Sequence, residues 1–205
     1  MTTVTADMMI SLDGFIAGAN DSPENPGGDG AIRLHEWIAN LASWRERQGL
    51  EGGVDNDDSR IIGEWFDATG AVIMGRTMFD YGEEFWGEDP PFRVPVFVLT
   101  HRPRPALPRV RGTTFTFVTD GIESALSQAK EVAGDRNVNI AGGARTVQQF
   151  LKAGAIDEIQ LHVLPFLFGN GVRLFDNHGS GQTNLEPSRI VEGSAATHMK
   201  YIILK

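Results

Sequence analysis

The chain contains no cysteine among its 205 residues. That excludes disulfides, thiolate metal sites and a cysteine nucleophile, and it fits a cytoplasmic setting. No apolar run approaches the roughly 20 residues needed to cross a bilayer. The start, Met1-Thr2-Thr3-Val4-Thr5, lacks the basic-then-apolar pattern of a secretion signal. Positive charge is also scarce, with 18 Lys and Arg against 27 Asp and Glu and a net charge of −9. Neither nucleic acid nor an anionic membrane is expected as a partner. Gly-x-Gly-x-x-Gly after a strand and Gly-x-x-x-x-Gly-Lys are both missing, which leaves a flavin- or S-adenosylmethionine-binding reading without a motif. His35, His101, His162, His178 and His198 lie scattered, and none has a ligand-type partner four residues on, so no metal site is expected.

What is present is 41% hydrophobic and 22% charged, enough core for residues 1–205 to form a single domain. Periodicity predicts a strand over 3–10, a turn at Asp13-Gly14, and an apolar return at Phe15-Ile16-Ala17. Residues 19–30 and 49–58 read as loops. Leu34, Trp37, Ile38, Leu41 and Trp44 predict one amphipathic helix over 31–47. Ile61, Ile62, Trp65 and Phe66 predict another, capped by Asp58 or Ser59. Strands are predicted at 71–74, 94–99, 114–118, 138–141 and 156–164. Between them a helix carries Ile122, Ala125, Leu126, Ala129 and Val132 inward, and Val147, Phe150 and Leu151 mark a further one. Ile159, Leu161 and Val163 share one face of the strand that Pro165 ends, and strands at 188–192 and 197–204 pair antiparallel. The alternation predicts an α/β fold in three layers, its sheet mostly parallel with an antiparallel C-terminal edge.

Ligands of such sheets sit at the carboxyl ends of the strands. Three ends carry donors: Gly75-Arg76-Thr77, Thr100-His101-Arg102 and Gly142-Gly143-Ala144-Arg145-Thr146. A strand–Gly–helix joint exposes bare amides at the positive end of a helix dipole, which suits a diphosphate. The same glycines also serve a plain strand–helix turn. Three such ends together point to a dinucleotide.

In order and spacing, Val72 to Thr77, Val96 to Thr100, Ile140 to Gly143 and the strand after Asp157 resemble dihydrofolate reductase. Ser11 to Ala17, Pro165 to Phe175 and Thr197 to Tyr201 are closer to the reductase domain of the bifunctional riboflavin-biosynthesis deaminase–reductase. No zinc-deaminase motif accompanies them. The resemblance implies a dihydrofolate reductase-like fold, NADPH as cofactor, a homodimer, and hydride transfer to a C=N or C=O group of a small heterocyclic substrate resembling a riboflavin precursor or a pterin. A nucleotide-binding protein of this fold without turnover is the alternative. Carried over by position, Gly75, Arg76, Thr77, Gly142, Gly143, Ala144, Arg145 and Thr146 meet the phosphates. Thr100, His101 and Arg102 flank the adenosine ribose, where cations without an acid favour a 2′-phosphate. Met9, Ile16 and Ala17 line the nicotinamide, unless Met9 is core. Asp13 is the catalytic candidate and proton source, or it only caps its own turn. Trp37, Phe168, Gly169 and Gly171 are substrate-side candidates, with Trp37 open to a core role. The family carboxylate on the first helix has no match within 19–58, since the spacing of Glu36 does not fit.

Overall fold

The structure, a computed structural model, describes residues 2–176, 179 and 181–205. The chain begins with β1 (Val4–Ser11) and a short β2 (Phe15–Ala17). Three short helical pieces follow: α1 (Ile32–His35), a 3-10 turn at Ile38–Asn40, and α2 (Ala42–Arg47). Next come α3 (Asp57–Ala68), β3 (Thr69–Gly75), α4 (Arg76–Trp86) and β4 (Val96–Leu99). The short β5 (Leu107–Pro108) leads to β6 (Thr114–Val118), α5 (Ile122–Ala133), β7 (Asn137–Gly142) and α6 (Ala144–Lys152). The chain closes with β8 (Glu158–Leu164), β9 (Val172–Arg173), β10 (Asn184–Glu192) and β11 (Thr197–Leu204).

One nine-stranded sheet runs in the order β10-β11-β8-β1-β7-β3-β4-β6-β5. The pairs from β8 to β6 are parallel, and β10, β11 and β5 add antiparallel edges. β2 and β9 make a separate ribbon. The central strands are apolar on both faces because both are covered: in β3, Ala71, Val72, Ile73 and Met74 are all buried. Alternate residues feed two layers. Ala6, Met8 and Ile10 join Ile73, Ile140 and Phe150 under α5 and α6, and Ile159, Leu161 and Val163 of β8 share that face as expected. On the opposite face, Val72, Met74, Val96 and Val98 meet Phe79 of α4. There Met9 and Trp37 join Leu34, Leu164, Ile38, Ile62 and Phe66.

Three local expectations need correction. The helix expected over 31–47 is broken at Leu41, which is extended (φ −74°, ψ 141°). Ala42 N donates to Val54 O and Val54 N to Asn40 O, so a backbone bridge overrides helical spacing. The cap of α3 is Asn56, whose side chain accepts from Ser59 N at 2.9 Å. Asp58 is instead turned inward and is 1% exposed. In α5, Ala133 takes the inward place expected of Val132, which is 48% exposed.

Candidate functional site

Two strand–Gly–helix joints, β3–α4 and β7–α6, are neighbours because β3 pairs with β7. The sites expected from them therefore form one corner. A Cβ built on Gly75 would lie 2.5 Å from Thr146 Oγ1 and 3.7 Å from Gly142 O. Only glycine allows the two chains so close. The Gly142–Gly143 peptide is cis, and Gly142 has φ +121°, where a side chain is strained. Gly143 faces open space, with nothing within 4 Å of its added Cβ. At the start of α6 the amides of Ala144 and Arg145 have no main-chain partner among the described residues, as the first turn of a helix requires. Arg145 is exposed beside them, while Ala144 and Thr146 are buried.

The third strand end completes the corner, since β4 pairs with β3 with Leu99 opposite Gly75. Thr100 Oγ1 accepts from Arg102 N at 3.0 Å, and His101 is exposed. One feature contradicts the expected charge pattern. Asp80 of α4 accepts from Arg76 Nε at 2.6 Å and from Arg102 Nη2 at 2.9 Å. An acid therefore does sit at this end, tethering both cations: it pairs with Arg76 at i,i+4 spacing along α4, and only the fold brings it to Arg102, 22 residues on. Arg76, Arg102 and Arg145 still outnumber it. Beside this corner lies a cavity of about 490 Å³ lined by Thr77, Asp80, Tyr81, Glu84 and Arg102, with Pro23 and Pro26 as its opposite wall. Burial and the nearby charge of Asp21 raise the Tyr81 pKa.

Asp13 belongs to a different construction. Its carboxylate accepts from Ser11 Oγ at 2.6 Å, Phe168 N at 3.1 Å and Gly169 N at 2.7 Å. Desolvation pushes its pKa up, but these hydrogen bonds outweigh that and hold it at about 2. Such a group holds no proton to give near neutrality, so the expected proton source becomes a clamp between the β1–β2 turn and the 165–171 loop. Gly171 serves the same junction, because a Cβ there would strike Ala17 O at 2.1 Å.

The residues expected around the nicotinamide and substrate divide between layers. Met9, Trp37 and Phe168 pack in one cluster with Leu34, Leu164 and Phe166. Ile16 packs on the opposite face with Met8 and Ile10, and Ala17 is buried against Gly171. Trp37 is a packed side chain with its Nε1 donating to Leu34 O at 2.8 Å. It also covers two imidazoles, with ring centroids 5.9 Å from His162 and 6.0 Å from His198.

Those two histidines correct the reading of the five as scattered. They meet because β8 and β11 pair with His162 opposite His198. His35 and His101 are exposed and apart, and His178 lies outside the described residues. Among the described residues, no group of three or more potential ligands could hold a metal, and no helix is long and apolar enough to cross a membrane.

Comparison with known proteins agrees with this architecture. A crystal structure of a putative riboflavin biosynthesis protein from a Shewanella species superposes with a TM-score of 0.68 at 22% identity, covering 100% of both chains. Dihydrofolate reductase from Enterococcus faecalis, solved with NADP(H), superposes at 0.54 with 12% identity, covering 99% of this chain and 97% of that one. In sequence, the uncharacterized protein YwjB of Bacillus subtilis is 26% identical over 193 residues, 94% of this chain and 93% of the relative. The model of the RibD C-terminal domain matches residues 2–199, and the chain belongs to that family.

Proposed function

We propose that the protein is an NADPH-dependent reductase that delivers hydride to a C=N or C=O carbon of a small heterocyclic substrate. One observation carries this reading. Two glycine corners converge at adjacent strand ends, close enough that a single added methyl at Gly75 would collide with Thr146, and the guanidiniums of Arg76 and Arg102 meet beside them on Asp80. The cradle fits an extended diphosphate: bare amides at the start of α6, an open face at Gly143, and cations at Arg76, Arg102 and Arg145. NADPH, when bound, supplies the hydride. The chain's residues bind its phosphates, orient its ring and exclude water. Gly75, Thr77, Gly142 and Gly143 would hold the diphosphate, and Arg102 the ribose end, after exchanging Asp80 for a phosphate.

The family match and the fold shared with an NADP(H)-bound dihydrofolate reductase support this reading. The test is a fluorescence titration with NADPH and NADH, followed by oxidation assays on flavin precursors, pterins and cyclic iminium compounds. Tighter binding of NADPH than NADH, together with oxidation in the presence of at least one acceptor, is expected. Binding of neither nucleotide would end the proposal. The ionised state of Asp13 favours the second reading, a nucleotide-binding protein without turnover. Tight NADPH binding with no oxidation across the panel would select it.

A further inference from the structure

Beneath Trp37, four side chains from four elements close into one hydrogen-bonded chain. Asp7 Oδ1 of β1 lies 2.7 Å from His162 Nε2 of β8. His162 Nδ1 lies 2.6 Å from His198 Nδ1 of β11, and His198 Nε2 lies 2.8 Å from Asp58 Oδ1 of α3. The two imidazoles and Asp58 are at most 2% exposed. Each ring spends one nitrogen on a carboxylate and turns the other on its neighbour. The contact between the Nδ1 atoms takes one proton only. With none, lone pair faces lone pair, and with two, N–H faces N–H. Against ionised carboxylates the two rings therefore hold three protons, which makes one of them an imidazolium and leaves no place for a second.

This chain ties the start of α3 to the sheet. The second oxygen of Asp58 accepts from Ser194 N at 2.9 Å and Ala195 N at 3.1 Å, both in the β10–β11 turn, and from Asn56 Nδ2 at 3.1 Å. The turn closes tightly, since a Cβ on Gly193 would lie 1.9 Å from Asp58 Oδ1. On its outer side lies an open cleft of about 570 Å³ lined by Asp55, Asn56, Asp57, Arg60, Glu192 and Ser194. The charges bearing on His198 are those of Asp58 from α3, His162 from β8 and Asp7 from β1. Further along the strands, Lys200 of β11 pairs with Glu158 of β8 at 2.6 Å, and Trp37 covers both rings with an uncharged face. Burial lowers the His198 pKa, the bond to Asp58 raises it, the charge of His162 lowers it again, and the net direction is down.

We propose that the His162–His198 pair is an acid-sensitive latch, which holds the start of α3 and the β10–β11 turn on the sheet while the rings share one proton and releases them when each ring takes its own. The inference is independent of the reductase reading. Its sign follows from counting protons. A solvated imidazole is charged below about pH 6.5 and neutral above it, while carboxylates as a class stay ionised down to about pH 5. Below pH 6.5 the two rings of the open form therefore bind four protons. The closed form keeps three, because a fourth sets N–H against N–H across 2.6 Å. Opening thus takes up one proton from solvent, and acid favours it. With both open rings titrating near 6.5, the opening equilibrium rises roughly tenfold between pH 6.5 and 5. The stability that the latch lends is present near pH 6.5 and lost as pH falls.

The amides of Ser194 and Ala195 donate to Asp58, so their hydrogen-exchange protection in the intact protein reports the opening directly. From pH 6.5 to 5 their protection factors should fall roughly tenfold, while those of Ile73 and Ile140 at the sheet centre hold. Unchanged protection at Ser194 and Ala195, or an equal fall at all four amides, would overturn the latch. Nitrogen-resolved proton NMR with labelled imidazoles supplies the count. At pH 6.5 each Nε2 should carry a proton and one far-downfield proton should lie between the Nδ1 atoms. A bare Nε2 there, or a second Nδ1 proton gained on acidification with protection intact, would refute it. His162→Gln removes the opposing ring and leaves His198 free to charge against Asp58, so the acid loss of protection should vanish. A fall as large as in the parent would refute the pair as the switch. If that variant does not fold, the parent's exchange and spectrum still decide.

Discussion

Replacing Gly75 by Ala sets two opposing effects against each other at the shared corner. Gly75 has φ −80° and ψ 156°, a conformation that any residue adopts. Alanine would therefore be expected to stabilise by about 0.4–1 kcal/mol through the unfolded chain. The folded state opposes this, since the new Cβ would lie 2.5 Å from Thr146 Oγ1. Thr146 is 5% exposed in the first turn of α6 and has little room to turn away. Overpacking of this kind costs about 1–3 kcal/mol. Taking midpoints, strain wins by about 1 kcal/mol, a loss of roughly 2–4 °C in Tm for a domain of this size. Because relief requires the two joints to part, NADPH affinity should fall by roughly tenfold, about 1.4 kcal/mol. Thr146→Ala removes the opposing oxygen, so the double variant should recover stability, with a coupling of at least about 0.5 kcal/mol in a urea-denaturation cycle. A Gly75→Ala protein that is more stable than the parent, or two substitutions that simply add, would refute the convergence on which the cofactor site depends.

Three further outcomes follow from the same geometry. Gly193→Ala would place a Cβ 1.9 Å from Asp58 Oδ1, forcing the carboxylate off His198 and costing roughly 3 kcal/mol in urea denaturation. The Asp13 carboxylate has its pKa depressed from 3.8 to about 2 in the folded chain. Its contribution is present above about pH 4 and is lost as pH falls toward 2, so proteolytic cleavage within 165–171 should rise over that window, and Asp13→Asn should abolish the pH dependence. Arg102→Ala should weaken NADPH far more than NADH, and Asp80→Asn, which frees Arg102 from its partner, should shift the preference further toward NADPH. Equal losses for both nucleotides in Arg102→Ala would remove Arg102 from the phosphate site.

How much of this was legible in the sequence depends on whether the signal was local. The two corners could be read because each is a strand, a glycine and a helix start within a few residues, and a parallel sheet brings such ends to one side. β6 and β11 match their expected bounds for the same reason. The segment at 31–47 misled because Leu34, Trp37, Ile38, Leu41 and Trp44 do keep helical spacing, yet pairing of Leu41 with Val54 takes the backbone out of helix. No window around Leu41 contains that partner's effect. The charge pattern near Arg102 failed similarly: Asp80 is 22 residues away in sequence and 2.9 Å away in space.

Asp58 shows the limit most sharply. By local rules it is a good helix cap, three residues before Ile61 and beside Ser59. In the fold Asn56 takes the cap, and Asp58 satisfies both oxygens elsewhere, on His198 and on the amides of Ser194 and Ala195. A buried carboxylate is retained only where such partners surround it, and here they come from 136 to 140 residues down the chain. The same holds for His162 and His198, which look isolated at a separation of 36 residues and become hydrogen-bonded neighbours once β8 and β11 align. Asp7, Asp58, His162 and His198 each have an ordinary local reading: strand polar, helix cap, strand histidine. The register of β1, β8 and β11, with α3 packed against them, joins them into one hydrogen-bonded chain, so a slip of a single residue between β8 and β11 would turn one imidazole to the opposite face and dissolve it.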